Sequence, residues 1–231
     1  MNFLAHFLTA YPHPEDDVLI GALLPDIAKR AGVGLNAGKI KEEKGLIFHP
    51  LLSGIRLHWF ADKKFHQSNL FQLGVALWKV HLEKRFPGAE RKFFLFHLLF
   101  EMWLDRLLLQ QQPHVGLEMY DSLKIADTEN LNLFSSRSLG DRKGSLVKTY
   151  QGFVEKRFVL DYADPERFAR IGTEVFGYVT QQPFQEQWVS PVLDSLLELQ
   201  KFEADVLYIW ELFLSDLKSD WEKTENPSGP F

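Results

Sequence analysis

His58 and Asp62 stand four residues apart in the run Leu57-His58-Trp59-Phe60-Ala61-Asp62, so on a helix their side chains share one face about 6 Å apart. That spacing suits two ligands of one metal ion. It equally suits a His–Asp hydrogen bond that steadies an interhelical contact. His97, Glu101 and Asp105 form a second column, recurring every four residues among Phe, Leu, Met and Trp. Such polar groups are costly to bury unpaired. The column therefore either faces solvent, pairing with Arg91 and Arg106, or forms a carboxylate-rich strip turned into a site. The broad apolar circumference of the segment around it points to a strip that is at least partly enclosed. Two further candidates are His6, which closes an apolar N-terminal run, and Asp26, which follows Gly21-Ala22-Leu23-Leu24-Pro25. Taken singly, a His near a terminus is an ordinary surface residue, and an Asp after Pro is an ordinary turn or cap.

The elements that must position these residues read as helices. Residues 16–29 carry Val18, Leu19, Ala22, Leu23 and Ile27 at helical spacing, with Asp16 or Asp17 as the cap and Pro25 as a kink beside Asp26. Residues 31–45 are rich in Gly and Lys and lack apolar periodicity, which reads as a loop or a lid. Residues 51–60 are apolar and ambiguous. Residues 68–85 form an amphipathic helix with Ser68 as N-cap and Pro87-Gly88 beyond its end. Residues 89–112 predict a long, central, buried helix that Pro113 ends. Later helices are expected over 115–125, 145–158, 165–180 and 184–221, the last split near Ser190-Pro191. Strand-like alternation is scarce. The expectation is an all-α fold of seven or eight helices in a single domain over 1–224, followed by a flexible tail, 225–231, whose Pro and Gly cannot continue a helix.

Composition narrows the chemistry. The 231 residues include no cysteine, so disulfides, thiolate nucleophiles and zinc–sulfur clusters are excluded and any metal must sit on His, Asp or Glu. A net charge of −5, with Lys and Arg scattered among acids, provides no basic face for nucleic acid. No apolar run approaches the roughly 20 residues that span a bilayer. The N-terminal run has no basic flank, so a cytoplasmic location is expected. Ser53-Gly54 lacks the elbow of a serine hydrolase, and Gly32-Val33-Gly34 lacks the Lys-Ser/Thr of a phosphate loop.

Four blocks occur together and in order: Met1-Asn2-Phe3-Leu4-Ala5-His6, Gly21-Ala22-Leu23-Leu24-Pro25-Asp26, Gly54-Ile55-Arg56-Leu57-His58 with Asp62, and Glu101-Met102-Trp103-Leu104-Asp105. In order and approximate spacing they resemble the acyl carrier protein (ACP) phosphodiesterase family, a divergent group of HD-type phosphohydrolases. The resemblance covers about the first half of the chain. It implies a helical fold of HD-phosphohydrolase type, a divalent metal, typically manganese, and release of 4′-phosphopantetheine from holo-ACP. Carried over by position, it implies His6, Asp26, His58 and Asp62 at the metal, with Asp105 or Glu101 orienting a ligand or acting as base. Lys63, Lys64, Lys39 and Lys41 are the cations expected to meet phosphate or the acidic carrier. The chain differs from the family pattern at Trp59, at Phe65-His66 and at Arg106. A second expectation is therefore a relative that binds without catalysis, or that acts on another phosphodiester.

Overall fold

Apolar residues at three- and four-residue intervals dictate amphipathic helices, and the computed structural model is helical throughout. It describes residues 1–13, 15–35, 49–85, 92–125, 128–138, 144–181 and 185–225. Among the described residues there are eleven α-helices, short 3-10 turns and no strand, so the fold is all-α. The predicted contacts of Lys39 and Lys41, the stop at Pro87-Gly88, the pairing of Arg91, most of the predicted 31–45 loop and the tail from 226 onward lie outside these residues.

Backbone contacts divide the chain into two compact units. The first comprises Phe3–Asp62 and His114–Phe158. It holds α1 (Phe3–Ala10), α2 (Asp16–Arg30), most of α3 (His49–Gln67), α6 (Pro113–Lys124), α7 (Thr128–Ser138) and α8 (Ser145–Lys156). All eight residues of α1 are buried. Phe3 packs on Phe153 with ring centroids 4.6 Å apart, and the Arg30 guanidinium lies 4.5 Å from the Phe158 ring centre. The second unit comprises Met1–Asn2, Lys63–Pro113 and Val159–Phe231. Its helices are α4 (Asn69–Leu82), α5 (Lys92–Gln111), α9 (Pro165–Thr180), α10 (Val189–Leu199) and α11 (Glu203–Glu225). Its core is aromatic: Trp78 meets Trp103 edge-on at 6.2 Å and stacks on Phe168 at 6.1 Å.

Several local expectations are met. Ser68 caps α4 by accepting a hydrogen bond from the Phe71 N–H at 3.1 Å. α9 runs over the expected residues, with Asp164 as its cap. Others are corrected. The N-cap of α2 is Glu15, which makes no side-chain cap bond. Asp16 and Asp17 lie inside the first turn, where their charge complements the helix dipole. The last predicted helix breaks at Gln200–Phe202 and not at Pro191. Pro191 falls in the first turn of α10, where its missing N–H has no helical partner to lose. Pro113 ends α5 and also opens α6 at its first position. The ambiguous 51–60 segment lies within α3, while α1 and α7 are helices that periodicity does not reveal.

Candidate metal centre

In the first unit α2 and α3 touch backbone to backbone. A Cβ on Gly21 would lie 2.2 Å from the Leu51 carbonyl oxygen, and one on Gly54 would lie 2.2 Å from that of Val18. Only hydrogen fits at either place. The close approach brings the Ala22 carbonyl beneath the His58 ring, 2.8 Å from Nδ1. A carbonyl oxygen only accepts, so Nδ1 carries the proton, and the lone pair of the neutral ring is at Nε2. A backbone acceptor that orients a ligating imidazole in this way is a common support of metal ligands. His58 Nδ1 thus meets this carbonyl on α2, and not the Asp62 carboxylate that the four-residue spacing offered as its hydrogen-bond partner.

α1 contributes His6, which is fully buried and stacks on His58 with centroids 3.8 Å apart and planes 20° from parallel. His6 is thus no surface residue. Its Nε2 lies 3.8 Å from Asp26 Oδ2 and 3.8 Å from Asp62 Oδ1. That distance exceeds hydrogen-bond reach. Neighbouring donors of one ion with bonds of about 2.1 Å stand about 3.0–3.4 Å apart, so an ion would draw these atoms a few tenths of an ångström closer. Donor atoms of His6, Asp26 and His58 all lie within 4.8 Å of one another. Asp62 approaches this trio through His6. The donor set of two imidazoles and carboxylate oxygens fits a borderline divalent transition ion. The carboxylates remain partly exposed, with side chains 30% and 36% accessible for Asp26 and Asp62, so the group is open to solvent.

The α5 column divides. Asp105 is fully buried, in the second unit, and belongs to neither grouping of converging donors found among the described residues. Glu101 receives the Met1 ammonium at 2.9 Å and His97 Nε2 at 2.8 Å, with His66 Nε2 at 3.3 Å, all on Oε1. Burial alone would raise its pKa. The ammonium charge, with the two imidazole contacts, overrides burial and holds the carboxyl well below the usual range. A carboxylate held so low is a poor base near neutral pH. Arg106 does not join the column: its guanidinium donates to the Tyr162 carbonyl at 2.8 Å and to that of Ala163. Lys64 pairs with Asp220 at 2.7 Å, Lys63 is exposed, and Trp59 is half-buried.

His66 lies in a polar Lys- and Gln-containing stretch that suggests a surface position, yet it meets His97 and Glu101. Its position four residues after Asp62, continuing the His58–Asp62 column, is the available signal. The roles of Gly21 and Gly54 have no local signal, because their contacts lie on another helix. No protein-family model matches the chain, and neither does any of the curated proteins or solved structures with which it was compared.

Proposed function

We propose that the chain is a metal-dependent phosphodiesterase of the HD-like kind that its four sequence blocks resemble, with holo-ACP as substrate, manganese as the ion and the cytoplasm as its place of action. The observation that carries the reading is the His58 Nδ1 contact with the Ala22 carbonyl, which prepares Nε2 as a donor beside His6 and Asp26. His6, His58 and Asp26 would hold the ion, with Asp62 completing the set. A divalent ion there supplies charge stabilisation for a phosphoryl oxygen and a more acidic water. The protein's own part is to orient the His58 ring through the Ala22 carbonyl and to leave the Asp26 and Asp62 side open to a substrate phosphate. In the hydrolysis, the oxygen of water becomes bonded to phosphorus and the carrier's oxygen departs with a proton.

A second reading keeps the metal and changes the substrate. The engagement of Lys64 by Asp220, and of Arg106 by backbone carbonyls, favours it, since those cations already have partners. The test is to strip the protein, reload it with manganese and follow the mass of holo-ACP. Loss of 4′-phosphopantetheine supports the first reading. Hydrolysis of bis-p-nitrophenyl phosphate with holo-ACP untouched supports the second. Absence of manganese binding sinks both.

A further inference from the structure

We propose that His66, His97 and Glu101 form a second, separate metal-binding site, built for a borderline divalent transition ion with octahedral preference. The site lies wholly within the second unit, where α5 supplies His97 and Glu101 and the end of α3 supplies His66. Three donor atoms converge: His66 Nε2 is 3.0 Å from His97 Nε2, His97 Nε2 is 2.8 Å from Glu101 Oε1, and His66 Nε2 is 3.3 Å from the same oxygen.

These contacts cannot all be hydrogen bonds. Each ring nitrogen has one in-plane position, either N–H or lone pair. Both contacts to Glu101 require N–H on both nitrogens, whereas the contact between the nitrogens requires one of them bare. A cation above the triangle satisfies all three with lone pairs. Three donors on one face of an octahedron with bonds of about 2.1 Å lie about 3.0 Å apart, against about 3.4 Å for a tetrahedral face. Two of the observed edges, 2.8 and 3.0 Å, lie on the octahedral side, and the third, 3.3 Å, lies nearer the tetrahedral value. Two imidazoles and one carboxylate favour first-row transition ions over magnesium or calcium.

One neighbour supports the reading. Phe71 sets its ring edge-on to both imidazoles, with centroids 4.7 Å from His66 and 4.8 Å from His97 and planes 84° and 82° away. It thus fixes both ring planes from one side.

The test is titration of the metal-stripped full chain with cobalt(II), by calorimetry and visible absorption. The variants are His97→Gln and His66→Gln for this site and Asp26→Asn for the first. The wild type is expected to take up two equivalents, one with the weak absorption of octahedral cobalt. Each Gln variant should lose that equivalent and retain the other, and Asp26→Asn should do the reverse. One wild-type equivalent that survives Asp26→Asn and vanishes in His97→Gln supports this site and overturns the first. One that vanishes in Asp26→Asn and survives both Gln variants overturns this one. No cobalt binding in the wild type overturns both. Circular dichroism of each variant shows that the helices persist, and His66→Gln decides if His97→Gln does not fold.

Discussion

Gly54→Ala places a methyl group where α2 already lies: the new Cβ would stand 2.2 Å from the Val18 carbonyl oxygen, and 2.8 Å from both Ala22 N and Gly21 Cα. Ordinary contact begins at 3.4 Å, and every close atom is backbone, so the two helices must part by about 1 Å. Overpacking of this kind costs about 1–3 kcal/mol. The separation also stretches the 2.8 Å bond between His58 Nδ1 and the Ala22 carbonyl to about 3.5 Å or more. That loss adds about 1 kcal/mol. Together the two effects amount to about 2–4 kcal/mol, a fall in Tm of about 5–15 °C for a chain of this length. Loss of the support behind a ligating His should also weaken metal affinity about 10–100-fold. Gly152→Ala is the control, because Gly152 lies within α8 and the methyl it would gain meets no atom within 4 Å. It should stabilise the protein by about 0.5–1 kcal/mol. Scanning calorimetry and manganese titration of both variants decide the matter. A Gly54→Ala protein that melts with the wild type and binds manganese equally well would refute the argument that the helix crossing sets the site.

Other outcomes follow from single contacts. His58→Ala and Asp62→Ala should abolish manganese binding at the first site with the helical circular dichroism signal unchanged, and unaltered affinity in both would remove these residues from the assignment. Replacing Arg106 with Met should leave the Tyr162 and Ala163 carbonyls without their donor and cost about 2–4 kcal/mol. Metal binding by that variant should be normal, so a selective loss of metal would point to a role at the site. Asp164 accepts from the N–H groups of Arg167 and Glu166 at 3.0 and 2.9 Å, and chiefly the Arg167 bond depresses its pKa. A depressed folded pKa gives stability that is present above the ordinary Asp value and lost as pH falls through the folded value. The Tm gap between wild type and Asp164→Ala should therefore narrow as pH falls from 5 toward 2, and a gap independent of pH would exclude the capping charge.

Much of the fold is legible because helices announce themselves locally. α9, bounded by Asp164-Pro165, and α4, capped by Ser68, carry their start signals in their own residues. α1 escapes such a reading because eight residues buried all round show no amphipathic period. α7, with few apolar residues, shows almost none either. The break before α11 is hidden because Gln200-Lys201-Phe202 contains no Gly or Pro, whereas Pro191 draws the prediction to a place where a helix start tolerates it. At the site, the residue types of His6, Asp26, His58 and Asp62 are visible in the sequence, but their meeting is not. Nothing local to Gly21 or Gly54 states that two backbones touch there. The polar column on α5 is visible too, yet its division into a buried Asp105 and a Glu101 held by imidazoles depends on α3 and Met1.

The two His groupings differ in what organises them, and this bears on why the sequence blocks take the form they do. In the first, the glycine that admits α2 lies one turn before His58, and the carbonyl that fixes the imidazole tautomer follows directly after Gly21. Packing and proton placement are there one geometric fact, so a short run of residues can encode both. Packing alone does not account for His6. A fully buried imidazole 3.8 Å from two carboxylates occupies a position where leucine would bury more apolar surface without the cost of desolvating polar groups. Lone pairs at that position have a structural reason if a cation is to be held. In the second grouping the rings are set by side chains, Phe71 and one another. Occupancy of the first site should therefore depend on the helix crossing, and occupancy of the second on those side chains.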